Sequence, residues 1–307
     1  MSELEIIQHH KIQGISVFFD TVEYRTPHSH PEWELIWITD GHIQIQCGQE
    51  ILRGDTGELF LFAPGKVHEF SIVEGPVTFL CLQIAPQSLG ELCPELHSLT
   101  AEGCRIGEWM DADLTRKTRE LLRQLMEAYL EQGELFQLRC VSLCAEILYK
   151  ILRAIPVRSL SEEERRSADK RRARLDRFLH FVDENYMRKI RLADFAQAEG
   201  CSVSYLSRFL KEELGQTFQD YVSSIRYHSA CRMIRSGGMR LLDVCEEAGF
   251  SDYRYFSNCF KRLAGCTPEV YSRSTHLGED QIHQKSIYSR ERFYTREESF
   301  EMLRSLC

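Results

Sequence analysis

Apolar positions in the first third of the chain come in short runs. ISVFF, WELIWI, HIQIQC, ELFLF and VTFLCLQI, all between residues 12 and 84, are rich in β-branched and aromatic residues, which pack well on a pleated surface. TDG, LRGDTG, APGK and VEGP lie between them and supply the Gly, Pro and Asp that turns demand. Short strands so closely spaced predict an antiparallel sandwich or barrel. From 111 to 155 the period becomes helical. DLTRKTRELLRQLMEAYLEQG places Leu114, Leu121, Leu122, Leu125 and Tyr129 on one face, and LRCVSLCAEILYKILRAI does the same with Leu138, Val141, Cys144, Leu148, Ile151 and Ile155. This is a helical hairpin whose stripe either covers the β-domain or pairs with a second subunit. Residues 156–171, opening PVRSLSEEERRS, read as a polar linker.

The pattern from about 170 to 273 is helical and repeats itself. SYLSRFLKEELGQTF (204–218) and RYFSNCFKRLAGCTP (254–268) share a register that matches Tyr205 with Tyr255, Ser207 with Ser257, Lys211 with Lys261, Gly215 with Gly265 and Thr217 with Thr267. Upstream, LADFAQAEG (192–200) matches LLDVCEEAG (241–249). Each copy is a short amphipathic helix, a tight turn and a second helix. The second helix has an apolar stripe (Leu206, Phe209, Leu210; Phe256, Cys259, Phe260) and a polar one (Ser204, Ser207, Arg208; Arg254, Ser257, Asn258). A helix-turn-helix needs that division: one face packs, and the other enters the major groove with hydrogen-bonding groups.

Charge sharpens this picture. The net charge is -8, yet residues 1–157 are acidic by about eleven charges and residues 170–273 basic by about five, the asymmetry of a polyanion-binding half joined to a non-binding one. Arg208 suits guanine O6/N7, and Asn258 suits adenine N6/N7. Lys211, Lys261 and Arg262 sit further along and suit phosphates. Twelve cysteines, without a CxxC pair, read as free thiols packed as small hydrophobes in a reducing compartment. No apolar run has the length of a membrane helix and MSELEIIQHHK lacks a signal-peptide core, so a cytoplasmic protein with no membrane partner is expected.

Residues 172–272 resemble the AraC-type DNA-binding domain. GFSDYRYF and the closing FKRLAGCTPEVY, Phe260 to Tyr271, carry the resemblance at the family's spacing. It implies two helix-turn-helix units joined by a long helix, here FQDYVSSIRYHSACRMIRSGG, ended by Gly237-Gly238. It also carries DNA contacts onto Ser204, Ser207, Arg208, Tyr253, Arg254, Ser257 and Asn258.

PHSHPEWELIW (27–37) poses a separate question. As one strand it would put His28, His30 and Glu34 on one face and Trp33, Leu35 and Trp37 on the other. With His68 this set resembles the ligands of the cupin barrel, and Gly57…Pro64-Gly65-x-x-His68 resembles its second motif at altered spacing. In metal-using cupins such residues hold a divalent transition metal. AraC-type regulators, in turn, commonly carry a cupin-like domain that binds a small effector, often a sugar. Two readings follow for His28, His30, Glu34 and His68: a polar effector pocket, with Phe60 and Phe62 as aromatic lining, or a metal site.

The chain is therefore expected to be an α+β multidomain regulator rather than an enzyme. A cupin-like barrel (1–110) would sense a sugar or related metabolite, and a helical hairpin (111–155) would dimerise it. After the linker (156–171), an all-α double helix-turn-helix (172–273) would bind double-stranded DNA through Ser204, Ser207, Arg208, Lys211, Tyr253, Arg254, Ser257, Asn258 and Lys261. RNA polymerase is a candidate partner, and no resident cofactor is expected unless the metal set is used. The alternative is a metal-dependent cupin enzyme carrying a DNA-binding domain. Residues 274–307 form a tail in which Phe300, Leu303 and Leu306 could make a short apolar stripe.

Overall fold

Alternation of side chains governs the amino-terminal half. The computed structural model describes residues 11–90, 93–101, 104–275 and 289–306. It begins with β1 (Ile15–His28), β2 (Trp33–Cys47), β3 (Glu50–Asp55), β4 (Leu59–Phe62) and β5 (His68–Ile84). The sheet order is β3-β2-β5-β1, with β4 also on β2, and the β1–β5 and β2–β5 pairs are antiparallel. Odd positions of β2 and β4 (Trp33, Leu35, Leu59, Leu61) enter one apolar cluster, and even ones (Ile36, Ile38, Phe60, Phe62) enter another. Both faces of a barrel-like sheet are thus buried, each large side chain adding roughly 1.5–3 kcal/mol.

The predicted strands merge: WELIWI and HIQIQC are one strand, β2, and LRGDTG, read as a turn, contributes most of β3. Register shifts around Asp40 and His42, beside Gly41 at φ 91, let β2 continue through TDG as an irregular strand. Its positive φ suits a residue without Cβ.

The short helix α1 (Gln87–Gly90) and strand β6 (Leu99–Ala101) lead to α2 (Ala112–Glu131) and α3 (Phe136–Ala154). Asp111 caps α2, accepting from the Leu114 N–H at 2.7 Å. The hairpin covers the sheet: Leu122, Leu125, Tyr129, Cys140, Leu143, Cys144, Ile147, Leu148 and Ile151 join Trp33 and Leu35 in one core. Leu138, expected on that stripe, is 66% exposed, because the buried face runs through Cys140, Leu143 and Ile147, about one position out of phase. Burial pushes the Cys140 thiol up to about 11, so it packs as an uncharged hydrophobe.

The expected linker 156–171 is mostly regular structure. β7 (Val157–Ser159) pairs with β6, and α4 (Glu162–Asn185) starts inside SEEERRS. Ser161 and Glu164 cap that helix reciprocally, and Arg166 pairs with Glu162 one turn away at 3.0 Å. No Gly or Pro interrupts the run, so a charge-rich stretch becomes helix rather than coil.

The carboxy-terminal unit contains α5 (Leu192–Ala198), α6 (Val203–Leu214), α7 (Phe218–Ser236), α8 (Leu241–Glu247), α9 (Tyr253–Leu263) and α10 (Pro268–Thr275). Ser202, Thr217 and Asp252 cap α6, α7 and α9, and Gly215 and Gly237 end α6 and α7 at positive φ. Contacts gather 173–275 into this unit, and 11–47, 51–172 and 291–306 into the barrel unit.

That last grouping concerns the tail. β8 (Ser289–Phe293) adds to the β1 edge, and α11 (Arg296–Ser305) packs on α2. Leu303 is buried in the barrel-unit core, with Phe300 and Leu306 against it. Glu291 meets Arg25 at 2.9 Å, both nearly buried, and the Tyr294 hydroxyl lies 2.6 Å from that of Thr21. No described helix is long and apolar enough to cross a membrane.

Candidate functional sites

PHSHPEWELIW is two strands and a turn rather than one strand. His28 ends β1, His30 lies in the connection and Glu34 is the second residue of β2. Register brings in the rest: His28 pairs with His68 at the start of β5, and Glu34 pairs with Phe62 of β4. All four polar residues are 3% exposed or less. Ligating atoms of His28, Glu34 and His68 lie within 4.8 Å of one another. His30 Nε2 is 2.5 Å from Glu34 Oε2, and the other carboxylate oxygen accepts from the Cys81 thiol at 3.2 Å.

The tautomers follow from backbone contacts. His28 Nδ1 is 2.9 Å from the Thr26 carbonyl, and His68 Nδ1 is 2.9 Å from that of Lys66. A carbonyl only accepts, so both Nδ1 atoms carry hydrogen and a neutral ring keeps its lone pair at Nε2. Burial, then the Arg25 charge, hold His28 well below the ordinary histidine range. Burial pushes Glu34 upward, but His30 and His68 overcome it and hold the carboxyl well below the usual range. His68 Nε2 stands 3.1 Å from Glu34 Oε2 without hydrogen-bond geometry to any described group. His28, Glu34 and His68 are thus a set that could hold a metal ion.

Phe62 stacks on His68, centroids 4.1 Å apart, while Phe60 is core. Trp33 and Trp37 face the helical hairpin instead. Arg25, three residues before His28 and bonded to the tail, was not singled out from sequence; nothing local marks an arginine as buried.

The second site is the exposed stripe of the repeated helices. Ser204, Ser207, Arg208 and Lys211 are exposed along α6, as are Arg254, Asn258 and Lys261 along α9, with Ser257 half-buried. Tyr253 is also half-buried, its hydroxyl donating to Glu269 at 2.6 Å. Beneath the stripes Leu206, Phe209 and Leu210, and Phe256, Cys259 and Phe260, are buried. This is the two-faced arrangement that groove entry requires.

Comparison with known proteins points the same way. Residues 9–164 match the AraC-like ligand binding domain, and residues 195–274 match a helix-turn-helix domain. Thermoregulatory protein LcrF of Yersinia pestis is 24% identical over 275 residues, covering 87% of this chain and 96% of that protein. Virulence regulon transcriptional activator VirF of Yersinia enterocolitica matches to the same extent. Among solved structures, ToxT from Vibrio cholerae aligns over 84% of this chain and 97% of its own, with 13% identity and a TM-score of 0.41. Another ToxT structure holds an unsaturated fatty acid.

Proposed function

The chain belongs to the AraC family of transcription regulators, and on that footing we propose that its barrel answers to a divalent transition-metal ion held by His28, Glu34 and His68. The observation that carries this is the pair of Nδ1 atoms set against backbone carbonyls, which leaves both Nε2 atoms free to group with the Glu34 carboxylate. Metal-binding histidines are commonly oriented by just such second hydrogen bonds. His30 then orients Glu34. Two nitrogens and an oxygen suit Zn, Fe, Ni or Mn. The ion would link β1, β2 and β5, the strands that carry these residues.

The sugar-type effector remains the second reading, favoured by Phe62 stacked beside the cluster. A sugar would have to part groups already in contact, whereas an ion would be held by the ligand atoms of His28, Glu34 and His68, which lie within 4.8 Å of one another.

Either effector would act by population shift, favouring one arrangement of sensor and reader on its DNA half-sites. A homodimer suits this. The exposed Leu135, Leu138 and Tyr149 at and along α3 are the surface we assign to it, since the buried stripe is spent on the barrel. RNA polymerase contact and a cytoplasmic setting belong to the same reading.

The test is metal analysis and thermal melting of the full chain, with and without chelator and re-added Zn, Ni, Mn or Fe, and with a sugar panel. Expected is one metal near one equivalent, a midpoint that falls on chelation and recovers with that metal, and loss of both in His68→Ala. A sugar that raises the midpoint regardless of chelator would replace the ion as effector.

A further inference from the structure

The two reading helices are repeats in sequence, yet they are held differently. In the second unit, Tyr255 of α9 meets Ser223 of α7 through their hydroxyls, and Arg262 donates to Asp220 of α7 at 2.6 Å. In the first unit the hold is a three-charge clamp centred on Glu199, in the turn between α5 and α6. Arg177 donates to its two oxygens at 2.6 and 2.8 Å, and Arg174 donates to one at 3.0 Å. Both arginines lie on α4. Arg174 then donates from Nη1 to the Tyr205 hydroxyl of α6 at 2.7 Å, and its guanidinium sits 5.3 Å from the Tyr205 ring centroid and 5.9 Å from that of Phe209.

Glu199 is 9% exposed, Arg174 27% and Arg177 55%. The hydrogen bonds from Arg177, and then Arg174, hold the Glu199 carboxyl below its ordinary range against the effect of burial. The register that matches 192–200 with 241–249 places Ala248 where the first unit has Glu199, so the second unit has no charge at this point. Tyr205 precedes Ser207 and Arg208 by less than a turn of the same helix, with Ser207 on the opposite face and Arg208 beside it. Whatever fixes Tyr205 fixes the angle at which that polar stripe is presented.

We propose that Glu199 is a positioning residue for DNA reading: it locks Arg174 and Arg177 against α6, sets the presentation of Ser204, Ser207 and Arg208, and keeps both arginines from DNA phosphates. Removing its charge has two consequences of opposite sign. The reading helix loses its fixed angle, which weakens base discrimination. Two guanidiniums are freed beside it, which strengthens sequence-independent binding through counterion release.

The test uses the full chain, with Glu199→Gln and Tyr205→Phe variants whose folding is checked by thermal melting. The probes are a duplex selected by the wild-type chain from a random pool and a shuffled duplex of equal composition, each titrated across a salt series. For Glu199→Gln the selected-to-shuffled affinity ratio should fall about tenfold. That loss should map to the base pairs of one half of the site. Affinity for the shuffled duplex should rise, with its log–log salt slope steeper by about 1 to 2. Tyr205→Phe should lower the ratio without changing the slope. Equal loss on both duplexes with an unchanged slope would reduce Glu199 to a merely structural residue and overturn the proposal. If Glu199→Gln does not fold, an unchanged ratio in Tyr205→Phe overturns it as well.

Discussion

Tyr205 and Tyr255 stand at the same position of the two repeated units, and each uses its hydroxyl to tie its reading helix to the long helix before it. Tyr205 accepts from Arg174 of α4, and Tyr255 meets Ser223 of α7. Ser223 gives its own proton to the Gln219 carbonyl at 2.6 Å, so Tyr255 is the donor. The repeat has kept a job while changing the partner's chemistry, from a guanidinium to a neutral hydroxyl.

Tyr255→Phe removes that donor and leaves an acceptor short of a partner in a half-buried place. It should cost about 1 kcal/mol in denaturant unfolding of the full chain. Ser223→Ala should cost a similar amount, and the double variant clearly less than the sum. Strict additivity would show that the two hydroxyls do not interact.

Two glycines in equivalent turns separate strain from crowding. Gly200 (φ +62) has open space where a Cβ would go, whereas a Cβ on Gly249 (φ +83) would lie 2.5 Å from the Tyr186 carbonyl oxygen and 2.6 Å from Met187 Cα. Gly200→Ala should cost about 1–2 kcal/mol for left-handed backbone alone. Gly249→Ala adds a backbone collision and should cost several-fold more, read as loss of the second unit's amide protection in hydrogen exchange. Equal costs would refute the close approach.

The tail is fastened by a nearly buried ion pair, Arg25 with Glu291. Breaking one side strands a charge, so Glu291→Gln should destabilise tail docking by about 3 kcal/mol. Hydrogen exchange in 289–306 should speed up accordingly. An apolar replacement of both partners should be milder than the single change. A Glu291→Gln tail as protected as the wild type would show that the apolar contacts of Leu303 and Phe300 suffice.

On DNA, exposed side chains of one helix should divide by role. Arg208→Ala should lower discrimination between selected and random duplexes by about 1–3 kcal/mol. Lys211→Ala should weaken both about equally and reduce the salt slope by about 1. Equal loss on both duplexes for Arg208→Ala would remove it as a base reader.

His228 of α7 gives the reader unit a pH dependence. Burial, helped by the Arg235 charge, lowers it to about 3, while the unfolded chain titrates near 6.5. Between those values the unfolded state binds a proton that the folded state refuses. Stability is therefore full above pH 6.5 and falls by about 1 kcal/mol per pH unit on acidification toward 3. His228→Phe should flatten that slope in the melting midpoint of the full chain between pH 6.5 and 5. An unaltered slope would assign the acid lability to other groups.

Periodicity determined the larger plan. The alternation of WELIWI and ELFLF, the helical stripes after 111 and the repeat around Tyr205 and Tyr255 are local patterns. Local sterics and solvation act on them directly, so they were legible in the chain. His28, His30, Glu34 and His68 were legible as a set through the resemblance to the cupin motifs, and the fold brings them together. What needed the tertiary structure was pairing. PHSHPEWELIW broke into two strands because its turn lets His28 meet His68 across β1 and β5. SEEERRS became helix through its own cap, and the hairpin's inward face shifted from Leu138 to Cys140 and Leu143. The tail returned to Arg25 across more than half the chain length. Contacts between distant positions depend on how whole surfaces fit, and that leaves no trace in the spacing of nearby residues.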